Sequence, residues 1–347
     1  MDLKQFEERK LDHIRHSLDR SHQAEGFSGL EAVQLVHEAL PDLNLEDVDL
    51  RSNCLGISLK TPFYIAGMTA GHEQASQINR TLALACQERG WAMGVGSQRR
   101  DLEDRGAEGL DAWKELREEV PDLVLFANLG ISQVIQASIQ NVRRVVSGLE
   151  AQGLVIHLNA LQEVVQPEGT PQFKGGLKAI ERILAELEVP VILKETGCGF
   201  SEATLRRISS LPLGAVDLSG LGGTHWGRIE GARAARGSIH AEVAKTFANW
   251  GESTVSSVLA ASRVLPQLTE IWASGGVRSG LDAAKLIALG AARVGFAKPA
   301  LEAALEGEAR LRAWMETREF ELKTALFCTG SANCQELGKK QVLTSEG

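Results

Sequence analysis

Four polar side chains of different chemistry fall within residues 157–163: His157, Asn159, Gln162 and Glu163. They supply a proton donor or acceptor, two amides and a carboxylate. They end a run, Leu154–Leu158, whose Val155, Ile156 and Leu158 suit a buried strand. The polar cluster therefore sits at that strand's C-terminal end, which in a parallel α/β barrel is the functional face. Taken alone, the stretch fits equally well a hydrogen-bonded core histidine followed by a solvated glutamate in a first helical turn.

Comparable chemistry recurs at other run ends. Ile65-Ala-Gly-Met-Thr-Ala-Gly71 offers glycines for close backbone approach to a flat ligand and the Thr69 hydroxyl. Gly96-Ser-Gln-Arg99 gives a hydroxyl, an amide and a cation, and Asn128, Lys194-Glu195 and Asp217-Leu-Ser-Gly-Leu-Gly-Gly-Thr224 close three more runs. Packing alone does not explain polar residues or glycines on the same face each time.

Ser274-Gly-Gly-Val-Arg-Ser-Gly280 and Gly295-Phe-Ala-Lys-Pro299 follow the last two runs, where barrels build a phosphate site from backbone N–H groups and a short helix N-terminus. Lys194 suits a flavin mononucleotide barrel, pairing with negative charge on the cofactor ring, and equally a Schiff-base aldolase. Glu163 is the best metal candidate. One carboxylate is too few for a dedicated cage but fits Mg²⁺, which also takes waters and substrate phosphate oxygens. No HExxH, CxxC or paired-carboxylate motif points to zinc.

Eight short apolar runs would position these groups: Phe63–Gly67, Ala92–Gly96, Leu123–Asn128, Leu154–Leu158, Val189–Lys194, Ala215–Leu218, Glu270–Ala273 and Arg293–Phe296. Amphipathic stretches lie between them, including Glu73–Arg89, Ser132–Leu149, Leu177–Leu187, Glu202–Ser209 and Leu281–Leu289. The alternation predicts an α/β fold, a TIM (β/α)8 barrel over residues 61–347. Residues 1–60 read as a helical N-terminal extension packing on it, with a hairpin over Val48–Leu59. The long gap from Gly220 to Thr254 reads either as a lid or as ordinary helix.

A net charge of −8 argues against nucleic acid as a partner. No apolar run reaches the length of a membrane span, and the charged start lacks a signal-peptide core. The five cysteines form no CxxC pair and read as reduced thiols of a cytoplasmic protein.

The motifs together resemble a known family. Arg9-Lys10-x-x-His13-Ile14, Ala66-Gly-Met-Thr69, Gly96-Ser-Gln-Arg99, His157-Leu-Asn-Ala-Leu-Gln-Glu163, Lys194-Glu-Thr-Gly-Cys-Gly199, Asp217-x-Ser-Gly-x-Gly-Gly-Thr224 and Ala273-Ser-Gly-Gly-Val-Arg278 occur in the order found in type 2 isopentenyl-diphosphate isomerases. Those are FMN-dependent TIM-barrel enzymes. The Arg-Lys pair and the HLNxxQE stretch are specific to them; the glycine turns are common to many FMN barrels.

The resemblance implies that reduced FMN, Mg²⁺ and NADPH or NADH as reductant serve the conversion of isopentenyl diphosphate to dimethylallyl diphosphate, in a homo-tetramer or homo-octamer. It implies FMN contacts at Ala66, Gly67, Met68, Thr69, Ser97, Asn128, Lys194, Ser219 and Thr224. Gly275, Gly276, Val277, Arg278, Ala297 and Lys298 would lie near its phosphate. Arg9, Lys10, Ser97, Gln98, Arg99, His157, Asn159 and Gln162 would face substrate, with Gln162, His157 and Lys194 catalytic and Glu163 on the metal. The chain departs from the pattern at Ala66, Ala70, Thr196, His225 and Trp250-Gly-Glu-Ser-Thr254. An α-hydroxy-acid oxidase or dehydrogenase on the same FMN barrel is the rival enzyme, and a phosphate-ligand sensor the rival without catalysis.

Overall fold

The structure, a computed structural model, describes residues 12–68, 73–103 and 108–344. Arg9, Lys10 and Thr69 lie outside these residues. Eight parallel strands, β1 (Phe63–Ile65), β2 (Ala92–Gly94), β3 (Leu125–Gly130), β4 (Gly153–Leu158), β5 (Val191–Glu195), β6 (Ala215–Asp217), β7 (Glu270–Ala273) and β8 (Arg293–Phe296), close into a barrel. The closing register sets Val294, Gly295 and Phe296 against Phe63, Tyr64 and Ile65. Each of the eight apolar runs overlaps one strand, with β3 running on to Gly130 and β5 to Glu195.

These strands read as continuous apolar runs because both faces are covered. Outward residues such as Phe63, Ile65, Met93 and Leu125 join the core beneath the helices. Inward residues, among them Tyr64, Phe126, Val155, Ile192 and Trp272, fill the barrel. The Trp272 ring lies 5.1 Å from both Tyr64 and Phe126 and plugs the interior. Function is thereby confined to the strand ends.

One expectation changes, and the segment after β6 takes the second of its two readings, ordinary helix. The single helix expected over Ser132–Leu149 is two, Ile131–Gln136 and Ile139–Gly148. Ala137 is extended, and Ser138 starts the second helix by accepting a hydrogen bond from Asn141 N. Both helices bury the same apolar side, so the periodicity runs across the break. The gap after β6 holds the helices Trp226–Arg233 and Ile239–Thr246, which pack on one another and on the helix Ala160–Val165. Gly227, Ile229 and Glu230 are buried in that packing, so the segment is built into the wall of the site.

The N-terminal part forms a helix over 12–18 and a strap across the β6 end. Ala24 N donates to Gly223 O at 2.8 Å, and Arg228 Nη1 donates to Gln23 O at 2.6 Å. Val33–Leu35 pairs antiparallel with Val342–Thr344. The hairpin is Ser52–Cys54 with Ile57–Leu59, anchored at the opposite barrel end where Leu55 N meets the Glu270 carboxylate.

Candidate active site

The strand ends open into one cavity of about 770 Å³. It reaches from His13 and Trp226 on one side, past the β4 end, to the turns after β7 and β8. Its size lies within the usual range for cofactor and ligand pockets, about 300–1,000 Å³.

Asn128, at the end of β3, donates from Nδ2 to Val95 O at 2.9 Å, so its Oδ1 is the acceptor for His157 Nδ1 at 2.8 Å. In the neutral His157 ring the proton therefore sits on Nδ1 and the lone pair on Nε2. Asn159 caps the helix Ala160–Val165, whose first turns carry Gln162 and Glu163. Asn159 Nδ2 donates to Gln162 Oε1 at 3.2 Å and Glu163 Oε1 at 2.9 Å. Thr170 N donates to Glu163 Oε2 at 2.5 Å.

Asn159 Oδ1 is buried without a hydrogen-bond partner. An orphaned amide oxygen beside the Glu163 carboxylate is a hard-donor set that suits Mg²⁺ completed by water and phosphate oxygens. Among the described residues no group of three or more His, Cys, Asp or Glu is placed to hold an ion by itself.

A second carboxylate that the sequence did not single out supports this cluster. Glu230, on the helix Trp226–Arg233, is fully buried beside it. Its Oε1 accepts from Gln162 Nε2 at 3.0 Å and lies 2.8 Å from His13 Nε2, while Arg233 pairs with Oε2. Burial would raise its pKa, but the hydrogen bond and charge of His13, then Arg233 and Gln162, outweigh that and hold it down at about 2. This helix is enclosed, so no amphipathic pattern marks Glu230 in the sequence.

Lys194, at the end of β5, also gains a partner that sequence reasoning did not assign. Its Nζ lies 2.7 Å from Asp217 Oδ2 and 3.1 Å from Ser274 Oγ. Tyr64 OH donates to the same Asp217 oxygen at 2.6 Å, and Ser274 Oγ donates to Asp217 Oδ1 at 2.7 Å. Burial first, and Asp217 second, push the Tyr64 hydroxyl well above its usual pKa. Glu195 turns its carboxylate back onto the N–H groups of Thr196, Gly197 and Cys198. Burial pushes it up to about 7 against those hydrogen bonds.

The glycine turns have the shape a phosphate site needs. Gly275 and Gly276 have φ of +96° and +78°. A Cβ on Gly275 would lie 2.1 Å from Gly220 O, so only glycine fits. Arg278 bonds Gly276 O and Gly222 O at 3.0 Å each, which holds its guanidinium beside the turn. Ala297 caps the helix Lys298–Leu305, which has Pro299 in its first turn. At the β1 end a Cβ on Gly67 would meet Val95 O at 2.2 Å. These close approaches, Asn128 and the Lys194 ammonium fit a flat, phosphorylated cofactor such as FMN.

Ala66, Gly67, Met68, Ser97, Arg99, Ser219, Thr224, Val277, Ala297 and Lys298 all line the cavity, as do Asn128, His157, Lys194 and the glycines of the β7 turn. Gln98 does not. It is buried behind the wall, where its amide bridges Asn128 N and Asp101 Oδ2. Thr196, Gln23 and Trp226 line the cavity without having been assigned from sequence.

The family model described as FMN-dependent dehydrogenase matches residues 176–344. The chain is 50% identical over 345 residues to an isopentenyl-diphosphate delta-isomerase of Bdellovibrio bacteriovorus, covering 98% of each chain. It is 50% identical over 336 residues to one of Legionella pneumophila (strain Corby), covering 97% of each. With one of Halobacterium salinarum it shares 40% over 338 residues, covering 97% of this chain and 93% of that one. Among solved structures, a flavocytochrome b2 variant has a TM-score of 0.70 at 16% identity, over 96% of this chain and 82% of that one. A mandelate oxidase variant carrying an FMN adduct has a TM-score of 0.66 at 18% identity, over 99% of this chain and 100% of that one. At such identities these two likenesses carry the fold alone.

Proposed function

The chain belongs to the isopentenyl-diphosphate delta-isomerase family, and from that premise we propose that it moves the double bond of isopentenyl diphosphate to give dimethylallyl diphosphate, with reduced FMN, Mg²⁺ and no net redox change. What carries the reading is one cavity that joins a glycine-built anion turn, an inward lysine and the polar run from His157 to Glu163. When bound, reduced FMN supplies a transferable proton and an electron-rich ring beside the alkene, and NADPH or NADH regenerates it.

The protein's own part is binding, orientation and proton placement. Gly275, Gly276 and Arg278, with the helix starting at Lys298, hold the cofactor phosphate. Gly67 would leave room for a flat ring, and Asn128 and Lys194 would offer it polar contacts. Glu163 and the Asn159 amide oxygen would hold Mg²⁺, whose charge would offset that of the diphosphate. Arg99, with Arg9 and Lys10, neutralises the remaining charge and fixes the alkene in a reactive orientation. His157 presents Nε2, and Gln162, braced by Glu230, orients polar groups at the reacting carbons. Such an enzyme works in the cytoplasm as a homo-tetramer or homo-octamer; the exposed Ile239 and Trp250 suit subunit contacts.

Anaerobic incubation of the purified protein with isopentenyl diphosphate, Mg²⁺ and chemically reduced FMN tests this reading. Dimethylallyl diphosphate should form by NMR and fail to form when either FMN or Mg²⁺ is left out. No product in the complete mixture overturns the reading.

A further inference from the structure

The Lys194 ammonium has three N–H donors, and two are committed, to Asp217 Oδ2 at 2.7 Å and Ser274 Oγ at 3.1 Å. The third is available to the cavity that Lys194 lines. Ser274 has spent its own proton on Asp217 Oδ1, so it can only accept from the lysine. Asp217 is 1% exposed and takes hydrogen bonds on both oxygens, from Tyr64, Lys194 and Ser274. A carboxylate this enclosed is costly unless a cation neutralises it, and the reverse holds for the lysine.

We propose that Asp217 is a positioning residue of the flavin site, which keeps Lys194 in its ammonium form with one N–H directed at the cofactor whether or not the flavin carries charge. This rests on the FMN reading above. With a permanent counter-ion, the ammonium already stands beside the flavin when the flavin is oxidised and neutral. Reduction by two electrons to the anion then takes up one proton, the one that goes to the flavin. Without Asp217, a buried lysine beside a neutral flavin sheds its proton and regains it when the anion forms. Reduction then takes up two.

The other groups around Lys194 do not blur this count. His157 stands opposite it on β4 and Glu195 follows it on its own strand. Glu195, pushed up to about 7 by burial, is ionised above about pH 8, and His157 is the same in the wild type and the Asp217→Asn protein, so it drops out of the comparison of their slopes. Tyr64, on β1, is held neutral by burial and by Asp217.

The measurement is the pH dependence of the midpoint potential of bound FMN between about pH 8 and 9.5, above the histidine range, by dithionite titration of the FMN-loaded protein. Each proton taken up shifts the reduction equilibrium tenfold per pH unit, ~30 mV for a two-electron couple. The wild-type protein should show the one-proton slope, and Asp217→Asn the two-proton slope. In a Lys194→Met background, Asp217→Asn should leave the slope at one proton. A two-proton slope in the wild type overturns the inference even if Asp217→Asn does not fold, as does an unchanged slope in a folded, flavin-bound Asp217→Asn protein. Failure of the wild type to bind FMN at all would instead remove the reading on which the inference stands.

Discussion

Glu230 is the residue that ties together the His13 side of the cavity. Its carboxylate joins His13 of the N-terminal helix, Gln162 of the β4 cluster and Arg233 of its own helix. Glu230→Ala removes the buried carboxylate that His13 and Arg233 share, leaving Arg233 with Glu168, and should cost about 1.5–3 kcal/mol of stability, read by denaturant unfolding. Because its folded pKa is depressed to about 2 from 4.5, its contribution is complete above the ordinary carboxylate range and fades as pH falls from 4.5 towards 2. The acid limb of the stability curve should therefore be shallower in Glu230→Ala than in the wild type; identical limbs would contradict this. Glu163→Gln exchanges a hard anionic ligand for an amide. It should weaken Mg²⁺-dependent substrate binding about ten- to a hundredfold, as expected for a lost charged contact, and leave FMN bound. Unchanged Mg²⁺ dependence would show that the metal is held elsewhere.

At the scale of elements, the barrel was legible because strands buried on both faces become short apolar runs, and each run ended in the residues that line the cavity. The break between Gln136 and Ile139 was hidden, since one apolar side continues through both helices and only Ser138 marks the new start. Ser138→Ala should cost about 1 kcal/mol through loss of the cap, seen as a lower Tm with unchanged KM. A change in KM would mean that these helices bear on the cavity. The partners of Lys194 were hidden for another reason. Asp217 stood in a motif, but nothing in the order of residues says that neighbouring strands bring its carboxylate within 2.7 Å of the lysine. Gln98 shows the converse, a residue inside a functional motif whose side chain supports the wall from behind.

At the scale of the whole molecule, the barrel supplies the strand-end floor of the cavity, and His13, Ile14, Ser17, Arg20, Gln23 and Glu25 of the N-terminal part line one side of it. Arg228 fastens the strap by donating to Ser21 O and Gln23 O. Arg228→Ala should raise KM for the diphosphate while FMN affinity changes little, because Gln23 of the strap and His13 of the helix before it line the cavity, while the glycine turn follows β7. Equal losses of substrate and FMN binding would show that the strap supports both. The central claim, that the double bond moves by proton transfer with no net redox, is tested most directly in deuterated water. Protein, isopentenyl diphosphate, Mg²⁺, FMN and a trace of NADPH should give dimethylallyl diphosphate carrying solvent deuterium, with many product molecules formed per NADPH consumed. Consumption of one NADPH per product, or product free of deuterium, would contradict the account.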